Sequence, residues 1–91
     1  MERKKDHMTE EEFLLLDHLY FVVSYHDLLE EKIMGENQLK KTLLNMINKG
    51  WVNCFSDPES EVETTHVNFA ANYSKYYYLA SKQGMLEHNQ E

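Results

Sequence analysis

From Phe13 to Val23 the chain reads FLLLDHLYFVV, an apolar run interrupted only by Asp17 and His18. Just before it, Thr9-Glu10-Glu11-Glu12 has the S/T-x-x-E form of a capping box, in which the Thr hydroxyl accepts from the amide three residues on and the Glu carboxylate reaches back. A helix is therefore expected from Thr9 onward. Wound as a helix, the run puts Phe13, Leu16, Tyr20 and Val23 on one face, Leu15, Leu19 and Val22 on a second, and Leu14 and Phe21 on a third. A surface helix needs an apolar stripe of little more than ~100°, and this one spreads over most of the turn. The chain has 91 residues, enough for one small domain that buries only ~60–65% of its unfolded surface. Little other protein is left to cover the remaining faces, and uncovered apolar patches mark interfaces. A homodimer with Leu14, His18 and Phe21 at its interface is the simplest closed solution. The alternative cover within one chain is a C-terminal helix carrying Met85 and Leu86.

Charge and cysteine usage exclude several function classes. Lys and Arg number 9 against 16 Asp and Glu, a net charge of −7, so the chain as a whole repels phosphate and any nucleic-acid site must be a local exception. The mean hydropathy of −0.67 suits a soluble surface. Cys54 is the single cysteine, which rules out an internal disulfide and suits a reducing, cytoplasmic setting. No segment approaches the ~20 apolar residues of a membrane span. Met1 to Met8 is charged and aperiodic, and is expected to be a loose arm, with residues 9–91 forming a single domain.

Beyond the first helix, Ser24 reads as the N-cap of a short helix with Leu28, Leu29 and Ile33 at core spacing, and Gly35 as its left-handed stop. Glu36 opens a third helix whose stripe is Leu39, Leu43, Met46 and Ile47, ended by Gly50. Trp51 to Phe55 is a strand candidate, Ser56 to Ser60 a turn cluster holding the only proline, and Lys75 to Leu79 the returning strand of a hairpin with a long tip. Ser81 is placed to cap a final helix.

A short helix, a glycine-containing turn, an amphipathic helix and a hairpin follow one another in SYHDLLEEKIMGENQLKKTLLNMINKGWV, and the hairpin ends in YYYLASKQG. This order resembles the winged helix-turn-helix of MarR- and PadR-like bacterial transcriptional regulators, the second segment being similar to their Y-x-L-T-x-K-G wing end. The resemblance implies an α+β, mainly α fold: a three-helix core with a helix-turn-helix, a β-hairpin wing and a short C-terminal helix. It also implies that the helix from Glu36 enters a major groove of duplex DNA with Asn37, Gln38, Lys40 and Lys41, as a homodimer regulating transcription. The chemistry fits, because Asn and Gln can read adenine with two hydrogen bonds and Lys can bond guanine or phosphate. The same residue types equally suit any solvated helix face. The wing departs from the pattern: Asp57, Glu59, Glu61 and Glu63 leave its tip acidic. A winged-helix protein–protein interaction module that does not bind DNA is thus the second functional expectation.

No other constellation carries chemistry. The five histidines contain no H-x-x-x-H or H-E-x-x-H pair, so no metal is expected. Asp17 and His18 face different ways on a helix, Cys54 has an acidic wing beside it, and no glycine motif cradles a nucleotide. No cofactor is expected, nor a catalytic residue, and the chain reads as no enzyme. Tyr76, Tyr77 and Tyr78 read as strand residues packing the wing on the core, with Tyr76 and Tyr78 on one side.

Overall fold

The computed structural model describes residues 8–89. The capping box forms as written: Thr9 Oγ1 accepts from Glu12 N at 3.1 Å, and Glu12 Oε1 accepts from Thr9 N at 3.0 Å. It opens α1, Glu10–Leu16. Contrary to the helix expected through Val23, α1 stops at Leu16. The amides of His18 and Leu19 bond to the carbonyls of Leu15 and Leu16, tightening the end into i→i−3 bonds, and the Leu19 carbonyl then accepts from Ala80 N at 2.8 Å. Val23 and Ser24 become β1, paired with Tyr78 and Tyr77. Tertiary pairing of a β-branched segment outweighs helix propensity here. Leu15, Leu16 and Leu19 enter the core, while Phe21 is left 81% exposed.

Ser24 Oγ caps α2, Tyr25–Glu30, by accepting from Asp27 N at 3.1 Å. The stop after α2 is not Gly35, as expected, but Lys32, whose φ of 57° is left-handed, a conformation costing a non-glycine residue roughly 1–2 kcal/mol. Ile33 therefore lies outside α2, half-buried beside the core. Gly35, with φ −65°, is the N-cap of α3, Glu36–Asn48. Leu39, Leu43, Met46 and Ile47 are buried as the stripe requires, joined by Thr42, whose hydroxyl accepts from Gln38 Nε2 at 3.2 Å. Gly50, with φ 79°, ends the helix in the conformation glycine takes most easily.

The sheet has four antiparallel strands in the order β1-β4-β2-β3. β2, Val52–Asp57, turns tightly into β3, Ser60–Val62, and then pairs on its other edge with β4, Tyr77–Ala80, in the register Val52↔Ala80 and Cys54↔Tyr78. The long hairpin tip expected from the sequence is thus a short hairpin plus an excursion through a 3-10 turn, Thr64–His66, and α4, Phe69–Asn72. Alternation buries Val52, Cys54, Tyr78 and Ala80 on the helix-covered face. α5, Lys82–Asn89, closes the fold. Ser81 Oγ accepts from Gly84 N at 3.0 Å and donates to the Gly50 carbonyl at 2.6 Å. A β-carbon at Gly84 would run into the Trp51 carbonyl, so only glycine lets α5 lie this close to the start of β2. Among the described residues, five α-helices beside a four-stranded sheet make an α+β domain. Among the described residues no helix is long and apolar enough to cross a membrane.

The arm expected over residues 1–8 falls almost wholly on residues 1–7, which lie outside the described residues together with Arg3, Lys4, Lys5 and His7. Met8 does not belong to it: the side chain is buried in the core.

Candidate nucleic-acid interface

α3 presents its N-terminal half outward. Asn37, Gln38 and Lys41 are exposed, as expected of reading residues. Lys40 is half-buried, its ammonium 4.3 Å from the centre of the Tyr73 ring, a cation–π contact that keeps the charge while fixing the stem. Tyr73 is held in turn by an edge-on contact with Tyr25, ring centres 5.2 Å apart, and by its own carbonyl, which accepts from the Tyr78 hydroxyl at 2.7 Å. Tyr76 Oη accepts from Asn68 N at 3.0 Å. Tyrosines therefore fasten the excursion against α3, with the Tyr76 and Tyr78 rings turned inward. Burial and a hydrogen bond to Glu36 raise the Tyr25 hydroxyl pKa above the ordinary tyrosine value, and burial does the same for Tyr78.

The charge pattern around this helix is the feature that sequence reading missed. Between Glu36 and Asp57, and again between Glu63 and Glu87, the chain has no carboxylate, and these stretches contain Lys40, Lys41, Lys49, Lys75 and Lys82. Folding brings the two stretches together: the clefts beside α3 are lined by residues of both, with Lys40 and Lys41 the lysines among them. A scan for carboxylate-free stretches would have found each one, but that they share a surface follows only from the excursion packing on α3. Lys49 is not free to serve there, because its ammonium lies 3.0 Å from Glu12 Oε2 and 4.6 Å from the Trp51 ring centre. The acidic residues Asp57, Glu59 and Glu61 sit exposed at the β2–β3 hairpin, with Glu63 just beyond it.

The residues assigned to a dimer interface are exposed but no longer share one helix. Leu14 lies on α1 at 42% exposure, while His18 and Phe21 lie in the irregular segment after it, His18 with Nδ1 4.0 Å from Glu31 Oε1. α5 covers part of this side, as the one-chain alternative foresaw, through a residue the sequence reading left unassigned. The His88 ring stacks on Phe13 with centres 4.3 Å apart, and its Nδ1 is 2.9 Å from the Tyr20 hydroxyl. Asp17 Oδ1 lies 2.9 Å from Nε2 without completing a directed hydrogen bond. Met85 packs against the core, whereas Leu86 stays 49% exposed. Cys54 is buried, and burial pushes its thiol up to about 12. A thiol so raised is a poor nucleophile. Among the described residues no group of His, Cys, Asp and Glu is arranged to hold a metal ion.

Compared with protein-family models, with curated proteins and with solved structures, the chain gives no significant match.

Proposed function

We propose that this chain is a winged helix-turn-helix module of the cytoplasm that binds duplex DNA through the exposed face of α3 and regulates transcription as a homodimer. In this reading α2 and α3 are the helix-turn-helix, β2 and β4 are the wing, and β3 with the excursion is an elaboration of it. The observation that carries the reading is that α3 beyond Glu36 and the excursion packed on it bear no carboxylate along the clefts between them, in a chain of net charge −7: phosphate that the chain as a whole repels meets Lys40 and Lys41 there. Asn37 and Gln38 supply amides for base edges, Lys41 an exposed cation, and Lys40 a cation oriented by Tyr73. The acidic hairpin tip stays off the phosphate backbone.

Fluorescence anisotropy with a random-sequence duplex at several salt concentrations tests this. Affinity should fall log-linearly with salt, and Lys40→Glu/Lys41→Glu should abolish binding in a chain still folded by circular dichroism. Absence of binding at low salt, or binding that the double variant keeps, overturns it. Self-association draws on Leu14, Phe21 and Leu86, large apolar side chains left exposed on α1, the segment after it and α5. Sedimentation equilibrium should give a dimer that Phe21→Glu disperses.

One observation favours a second reading, a protein-interaction module. The surface beside α3 is concave and partly apolar, with Leu44 40% exposed, whereas a helix that enters a major groove needs clear flanks. A chain that fails to bind duplex at any salt concentration leaves this reading in place.

A further inference from the structure

The excursion does more than lie beside α3. Two clefts, of about 530 and about 320 Å³, adjoin each other because Leu44, Phe69 and Ala70 line both. Their combined shape is a trough with three chemically different parts. Lys40, Lys41 and Tyr73 stand at one end, Leu44 and Phe69 form an apolar floor, and Asn48, Thr64, His66 and Asn68 supply polar side chains at the other end. Among the described residues no carboxylate lines any of it. The wall is preformed, since Tyr73 is fixed between Tyr25 and Lys40 and the Tyr76 and Tyr78 hydroxyls fasten the excursion at Asn68 and Tyr73. Concave sites of roughly 300–1,000 Å³ with an apolar lining and a few convergent polar groups are the usual form of small-molecule sites.

We propose that this trough binds a small amphipathic organic anion: a flat or chain-like apolar body seated on Leu44 and Phe69, with a carboxylate or sulfonate held by Lys40 and Lys41. Charge complementarity selects the sign. A cationic ligand would meet two ammonium groups at the mouth, and a neutral one would leave them unused, whereas an anion gains charge-assisted hydrogen bonds there. The site stands independently of DNA binding. If the DNA reading also holds, the two ligands share Lys40 and Lys41 and exclude one another.

The probe is 1-anilinonaphthalene-8-sulfonate, an aromatic sulfonate that fluoresces on entering apolar surroundings, titrated into the full chain. Saturable binding of one probe per chain is expected, weakened at least about tenfold by Lys40→Gln/Lys41→Gln and by Leu44→Asp, and unchanged by Phe21→Glu, an exposed apolar residue that lines neither cleft. The uncharged analogue N-phenyl-1-naphthylamine should bind at least about tenfold more weakly than the sulfonate. Amide chemical-shift mapping on the unaltered chain should place the perturbations at residues 40–48 and 64–73, which keeps the test valid if a variant fails to fold. Unsaturable binding, shifts confined to α1 and α5, loss of binding in Phe21→Glu alone, or equal affinity for the uncharged analogue overturns the proposal. Duplex titration separates the two readings: probe bound with no duplex affinity refutes the DNA reading and leaves the trough standing.

Discussion

The two sides of this domain handle charge in opposite ways. On the α1–α5 side, ionisable groups pair with one another: Glu12, only 2% exposed, meets Lys49, and His88 sits among Phe13, Tyr20 and Asp17. On the α3–excursion side, beyond Glu36 at the start of the helix, no carboxylate among the described residues lines the clefts, Lys41 is exposed and Lys40 leans on an aromatic ring. A charge already matched inside the fold stabilises the fold, and a charge left unmatched at the surface is available to a partner. The difference marks the charges of the first side as structural and those of the second as available for binding.

Breaking the structural side should have the largest effect. Lys49→Met leaves the Glu12 carboxylate buried with only the Thr9 amide and should cost about 3 kcal/mol, the low end for a buried pair because Lys49 is itself partly exposed. Urea unfolding measures it, and adding Glu12→Gln should recover part of the loss. Gly84→Ala drives a methyl group toward the Trp51 carbonyl and should cost about 1–3 kcal/mol as α5 shifts away from β2; an unchanged unfolding midpoint would show that α5 has room to move.

Alkaline pH probes the core that both sides share. The Cys54 thiol is raised to about 12, against ~8.5 for an unfolded cysteine, so the folded chain holds a proton that the unfolded chain releases. Its stability contribution is therefore complete below about pH 8.5 and is lost at up to about 1.4 kcal/mol per pH unit as pH rises toward the folded value. The raised Tyr25 and Tyr78 hydroxyls act with the same sign from the ordinary tyrosine range upward. Unfolding curves between about pH 8 and 11 should decline accordingly, and Cys54 should resist thiol reagents until the chain unfolds. The smallest stability effect belongs to the binding side, where Lys41→Glu should change unfolding by less than about 0.5 kcal/mol. A larger loss there would mean that the α3 face is structural after all.

Local patterns were legible wherever the interaction closes within a few residues. The Thr9–Glu12 box, the Ser24 and Ser81 caps, the α3 stripe and the Gly50 stop each depend on groups at most four positions apart, and each formed as its residues specify. Where sequence reading erred, a distant partner decided the outcome. The capping box and the apolar run FLLLDHLYFVV point to a long helix, but pairing of Val23 and Ser24 with β4, some fifty residues on, puts the end of the run in a strand, and α1 stops at Leu16. The apolar circumference that suggested a dimer vanished with the longer helix, although Leu14 and Phe21 stayed exposed. Lys32 displaced Gly35 as the stop of α2 because the position that must turn left-handed is set by where α3 docks, and a lysine can be held there at modest cost.

The sequence by itself determined the charge balance, the single cysteine, the helix caps and the alternation that buries Val52, Cys54, Tyr78 and Ala80, since composition, short-range hydrogen bonds and side-chain period are properties of neighbouring residues. Only the tertiary structure decided where α1 ends, that β2 lies between β3 and β4, that His88 closes over Phe13, and that two carboxylate-free stretches meet beside α3. Each of these pairs groups far apart in the chain, and which distant groups meet is fixed by how all the apolar faces are buried at once.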